Sequence, residues 1–177
     1  MPVRTAALLL LALPALALAQ GKTTDPFVPM GSLSQEETAR LYNRALGTWR
    51  LNRDKSTIIS GDTLGVPPGY VYSPTEDRKG VNFKSGSSNT TSVQMWDGKP
   101  YGEKSTIARS PIDEFTIDNV LASNGRRTGR NTQIYSTDGT KAAYIVRRLT
   151  EQGLERVISV VLYEKVPDGS DISKPLN

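Results

Sequence analysis

The chain predicts an all-β protein, an antiparallel up-and-down barrel of about eight strands behind one short α-helix. Three observations carry that expectation. From Thr48 onward apolar residues recur at every second position, as in Trp49/Leu51, Tyr70/Tyr72, Val81/Phe83, Val93/Met95 and Phe115/Ile117. That spacing gives a strand one buried face. The segments are short and follow one another with no helical period between them, which favours a meander over a parallel sheet. Two turn pairs, Asp97-Gly98 and Asp138-Gly139, read as hairpin signals. An open sandwich is the competing arrangement, but closing the sheet removes its exposed edges.

In chain order, residues 1–19 read as a cleavable signal peptide. Arg4 precedes the apolar run Leu8–Leu18, which ends in Ala17-Leu18-Ala19, and cleavage is expected after Ala19. The run is short for a bilayer span and is interrupted by Pro14. A periplasmic or secreted protein is therefore expected, without a membrane span once the signal is removed. Residues 20–33 carry Pro26, Pro29 and Gly31, the composition of a flexible linker. One domain is expected over 34–166.

It opens with Ser34 and Glu37 in capping-box spacing, an apolar stripe at Leu41, Ala45 and Leu46, and Gly47 as a stop, predicting a helix at about 34–46. Asn131–Tyr135 leads through Asp138-Gly139 into Lys141–Thr150, and Gln152-Gly153 turns into the last strand. Val157–Tyr163 is apolar on both faces, so burial on both sides is expected, by the barrel interior and the helix. Residues 167–177, with Pro167, Gly169 and Pro175, are expected to form a surface tail.

Composition excludes several chemistries. The chain has no histidine and no cysteine, which removes the Ser-His-Asp triad, thiolate nucleophiles, iron–sulfur clusters and most zinc and haem ligands. No metal and no cofactor are expected. With 22 basic and 18 acidic residues, net +4, the basic excess is too small to argue for nucleic acid. Asp97, Glu103, Asp113, Glu114 and Asp118 leave a two-carboxylate hydrolase open by inventory. Strand neighbours such as Asp113 and Glu114 face opposite ways, however, which argues against their converging on one substrate.

Gly47-Thr48-Trp49-Arg50-Leu51-Asn52, followed by Lys55-Ser56 and closed by Tyr163-Glu164-Lys165, resembles a group of exported bacterial lipocalin-like proteins. These are calycin-type barrels with a G-x-W motif in the first strand, and the resemblance spans residues 47–166. It implies that Trp49 closes one barrel end and that an arginine from the last part of the sheet packs across its indole. Arg156 is taken for that role, ahead of Arg148.

If the barrel holds a cavity, its lining is expected from Tyr72, Phe83, Met95, Ile107, Phe115, Ile117, Tyr144 and Val146, with Arg148 beside them, a set suited to a small, mostly apolar ligand. The same side chains could instead interdigitate and fill the barrel. Arg147 and Arg148 point to opposite faces, and whichever faces inward would need an acidic ligand or a protein carboxylate. Arg126, Arg127 and Arg130, in a Gly-containing turn, form either a contact for a carboxylate or phosphate or a solvated hairpin loop.

The expected function is binding of a small hydrophobic or amphipathic ligand, with an acidic group an option. A filled barrel serving a structural role, or binding an envelope protein partner, is the alternative, and a carboxylate-dependent enzyme ranks third.

Overall fold

The structure is a computed structural model that describes residues 33–58, 66–88, 91–99 and 105–176. The expected signal peptide, and all of the linker but Leu33, lie outside the described residues. One helix, α1 (Gln35–Ala45), precedes nine strands: β1 (Gly47–Ile58), β2 (Gly69–Pro74), β3 (Gly80–Ser85), β4 (Thr91–Met95), β5 (Ser105–Pro111), β6 (Thr116–Ser123), β7 (Arg126–Tyr135), β8 (Lys141–Leu149) and β9 (Glu155–Val166). They form a single antiparallel sheet in the order β4-β3-β2-β1-β9-β8-β7-β6-β5, curled into a nearly closed barrel.

The strand number is nine rather than about eight, and the odd count has a consequence. Every ladder is antiparallel, so the two edge strands β4 and β5 run the same way. An antiparallel ladder cannot form between them. Asp97-Gly98 accordingly turns the chain after β4 without making a hairpin, and the Gly98 N–H reaches across the seam to the Arg109 carbonyl at 2.7 Å. Asp138-Gly139 does join a hairpin, β7 to β8, and Gln152-Gly153 lies in the turn from β8 to β9.

α1 forms where the capping box stands. The Glu37 N–H donates to Ser34 Oγ at 3.2 Å and the Ser34 N–H to Glu37 Oε2 at 2.9 Å, satisfying two otherwise orphaned donors. Its buried face, Leu41, Tyr42 and Ala45, packs into one end of the barrel with Trp49, Trp96 and Tyr135. Arg40 and Arg44 converge on Glu114 in the β5–β6 turn, at 2.7 and 3.2 Å, so the helix is held to the rim it covers.

One other expectation needs correction. β9 is not covered on both faces, since α1 plugs the barrel end and Val160 is 41% exposed on the outside. A register break pairs Val146 with Ser159 but Arg147 with Val157, leaving Ile158 as the extra residue of a bulge and burying Ile158 and Ser159 together. The segment after β9 is tied down. Arg50 donates to the carbonyls of Lys174 and Pro175 at 3.0 and 2.8 Å, and the Leu176 N–H donates to the Leu51 carbonyl at 2.7 Å. Ile172 lies so close to Gly86 that a Cβ there would sit 1.9 Å from the Ile172 carbonyl oxygen.

Candidate functional site

Period-two alternation directs one set of side chains inward, and around most of the barrel the set is filled. Tyr70 is at the centre of an aromatic cluster, with ring centroids 4.7 Å from Tyr72, 5.0 Å from Tyr163 and 5.7 Å from Tyr144. Trp49 stacks beside it, 6.1 Å away. Above this packed base the interior opens into a half-enclosed cavity of about 460 Å³. Val66, Pro67, Phe83, Ile107, Leu121 and Val146 give it apolar walls, while Tyr70, Tyr72, Tyr144, Gln94, Asn131, Gln133 and Arg109 bring polar atoms to it.

Among the described residues Arg109 is the only charged one in the lining, and it is 4% exposed. Its Nη2 donates to the Tyr72 hydroxyl at 2.7 Å, and the guanidinium carbon stands 5.1 Å from the centre of that ring. Its Nε and Nη1 have no hydrogen-bond partner among the described residues. Among the described residues every carboxylate that forms an ion pair does so elsewhere.

A guanidinium does not lose its proton in a protein, so this is a permanent buried cation without a counter-charge among the described residues. The phenols around it supply none, since burial holds Tyr70, Tyr144 and Tyr135 above the ordinary phenol range. Gln94 Oε1 is also without a partner among the described residues, while the hydroxyls of Tyr70 and Tyr144 interact with each other and with Tyr135. Buried polar atoms are nearly always paired, which makes this concentration of unpaired ones the distinguishing property of the cavity.

No protein-family model and no characterised protein matches the chain. What the site can do therefore rests on its geometry. Of the expected lining, Tyr72, Phe83, Ile107, Tyr144 and Val146 face the cavity.

The other four do not. Met95 points outward, bordering a shallow cleft with Thr75, Glu76, Asp77 and Val93, because Gln94 takes the inward position and a shift of one residue exchanges the faces. Phe115 sits in the β5–β6 turn, with the Arg44 guanidinium 4.3 Å from its ring centre. Ile117 is fully buried in the packed base. Arg148 is exposed beyond Val146, opposite Arg156, while Arg147 donates outside the barrel to Thr132 Oγ1 at 2.9 Å. The inward arginine is thus Arg109 rather than either of these.

Trp49 is fully buried at the α1 end and donates its indole N–H to the Ala45 carbonyl at 2.9 Å. The cation across it is Lys165, whose Nζ lies 4.9 Å from the ring and donates to the Arg44 carbonyl at 3.1 Å. Arg156 cannot take this role. Trp49 pairs directly with Lys165, and Arg156 lies near the far end of the same strand. Burial holds the Lys165 ammonium below its ordinary range.

The β6–β7 hairpin turns at Asn124-Gly125, both with positive φ (49° and 71°), as a two-residue type I′ turn requires. Arg127 pairs with Glu155, and Arg130 with Asp118 at 2.7 Å. Arg126 is exposed. Two of the three expected anion contacts are thus already neutralised by the protein's own carboxylates. Of the expected acidic inventory, Glu114 is committed to α1, Asp118 to Arg130, Asp113 to the Phe115 N–H at 2.8 Å and Asp97 to the Lys99 N–H at 3.0 Å, while Glu103 lies outside the described residues.

Proposed function

We propose that this chain is an exported, lipocalin-like binding barrel that carries a small, largely apolar ligand with an acidic group. The observation that carries the reading is the half-enclosed 460 Å³ cavity, with apolar walls and a cluster of unpaired polar atoms. This is the anatomy of small-molecule pockets, which lie between about 300 and 1,000 Å³ and combine apolar lining with a few placed polar groups. A barrel serving only as structure gains nothing from leaving such atoms unpaired. The signal-like leader, the G-x-W strand and the Trp49 plug support the exported, lipocalin-like part of the proposal.

The test is native mass spectrometry of the protein purified gently from a cell envelope. A stoichiometric small-molecule adduct, released and identified on denaturation, is expected. A protein consistently free of adduct that retains a protein partner would favour the second reading, an envelope interaction module. The observation behind that reading is Val160, 41% exposed on the outer face of β9.

A further inference from the structure

We propose that the cavity selects a singly charged organic carboxylate, bound head-inward on Arg109, with its apolar part directed away from α1 along Ile107, Leu121 and Val146. The inference rests on the binding-barrel reading and names the ligand class and its orientation. Three observations carry it.

The first is charge. Arg109 is buried, unpaired among the described residues and alone among charged groups in the lining. A single negative charge cancels it, whereas a phosphate dianion would leave an uncompensated buried charge.

The second is donor supply. Nε and Nη1 of Arg109 are N–H donors that no described residue accepts, and the hydroxyl-bearing Tyr70 and Tyr144 line the same cavity. Charge-assisted bonds of the guanidinium–carboxylate kind are the strongest such groups make.

The third is direction. On β5 and β6 the inward residues on the α1 side of Arg109 and its partner Asn119 are Pro111 and Ile117, which face each other, and Ile117 belongs to the fully packed base. One inward step the other way come Ile107 and its partner Leu121, while Val146, in register with Asn131 and Asn119, stands in the same row as Arg109 as a further apolar wall. An acid group on Arg109 therefore has polar atoms around it, filled space on one side and apolar walls on the other. At the volume occupied by water in the liquid, 460 Å³ holds about 15 non-hydrogen atoms, so a ten-carbon acid is a fitting probe.

The experiment is calorimetric titration of the full chain, freed of co-purified small molecules, with decanoate, decanol and decyl phosphate. Decanoate is expected to bind at least about 30-fold tighter than decanol, the loss typical of removing one partner of a buried charge pair, and tighter than decyl phosphate. Arg109→Met should remove the preference for decanoate while binding decanol within about threefold of the parent, which also reports that the variant is folded. Arg109→Lys should keep a reduced preference, because an ammonium retains the charge without the planar fork.

Equal binding of decanoate and decanol by the parent would overturn the carboxylate assignment and leave the binding-barrel reading standing. A preference for decyl phosphate would replace the ligand class. Failure of all three probes to bind the parent would count against both. Asp25→Asn, Asp62→Asn and Glu103→Gln test the side-chain carboxylates outside the described residues: unchanged decanoate affinity is expected, and tighter binding in any one would show that this carboxylate rather than a ligand neutralises Arg109.

Discussion

The two ends of the barrel interior are made from the same strands and treat polar atoms in opposite ways. At the α1 end the Trp49 indole, the Tyr42 hydroxyl and the Lys165 ammonium each reach a backbone carbonyl, at 2.9, 2.7 and 3.1 Å. The Trp96 indole N–H is the exception there. In the cavity, Gln94 and Arg109 leave three buried atoms without partners among the described residues. An unpaired buried group costs about 1–3 kcal/mol, so the cavity is a standing debit against the stability that the closed end supplies. A ligand that satisfies those atoms stabilises the protein by binding only its folded state.

That contrast can be broken most forcefully at its stable end. Trp49→Ala should cost about 3–5 kcal/mol in urea unfolding, the usual loss for a large aromatic removed from a core. A loss no greater than that of a surface substitution would mean the α1 end does not hold the fold.

Alkaline titration probes both ends together. Burial first, and neighbouring tyrosines second, hold Tyr70, Tyr144 and Tyr163 above the ordinary phenol range, and Tyr135 lies there too. The unfolded chain ionises its phenols near pH 10, so the folded state binds more protons above that point. The stability these residues contribute is complete below about pH 10 and is lost as pH rises past it. Phenolate absorbance from the four should appear with unfolding, in one cooperative step. Gradual ionisation in a still-folded protein would show that solvent reaches the cluster.

Arg109→Met should act with the opposite sign to Trp49→Ala. In the ligand-free protein it is expected to raise stability by about 1–3 kcal/mol, because it removes an uncompensated buried cation. A thermal melt checks this, and a lowered midpoint would mean that the charge is already satisfied. The hairpin arginines provide the smallest effects. Arg130→Ala should cost about 1 kcal/mol through loss of the partly buried Asp118 pair, with Thr132 still donating to that carboxylate at 3.1 Å. Arg126→Ala should fall within about 0.5 kcal/mol of the parent.

What the sequence made legible were features decided locally. The α1 cap, the Trp49 strand, the Asp138-Gly139 hairpin and the Gln152-Gly153 turn each depend on a few adjacent residues. The seam was not legible, because it follows from β1 pairing with β9, a contact between the two ends of the domain. Arg109 escaped notice because the inner face was sought among apolar residues, although the period of two that turns Ile107 inward also turns Arg109 inward. The cation on Trp49 was legible in principle. A last strand antiparallel to the first brings its end, where Lys165 stands, to the start of β1, and carries Arg156 away from it.

The β1–β9 ladder also bears on how the protein reaches this state. Across it Asn52 donates its side-chain amide to the Glu164 carboxylate, 112 positions away in the chain, so the middle of the sheet cannot form until the last strand is present. Local hairpins such as β7–β8 close quickly, whereas this pairing must first overcome the entropy of a very long loop. Folding should accordingly be slow for the domain's size, with a transition state that joins its two ends. A chain ending before β9 should remain unfolded throughout, rather than form a barrel with one strand missing.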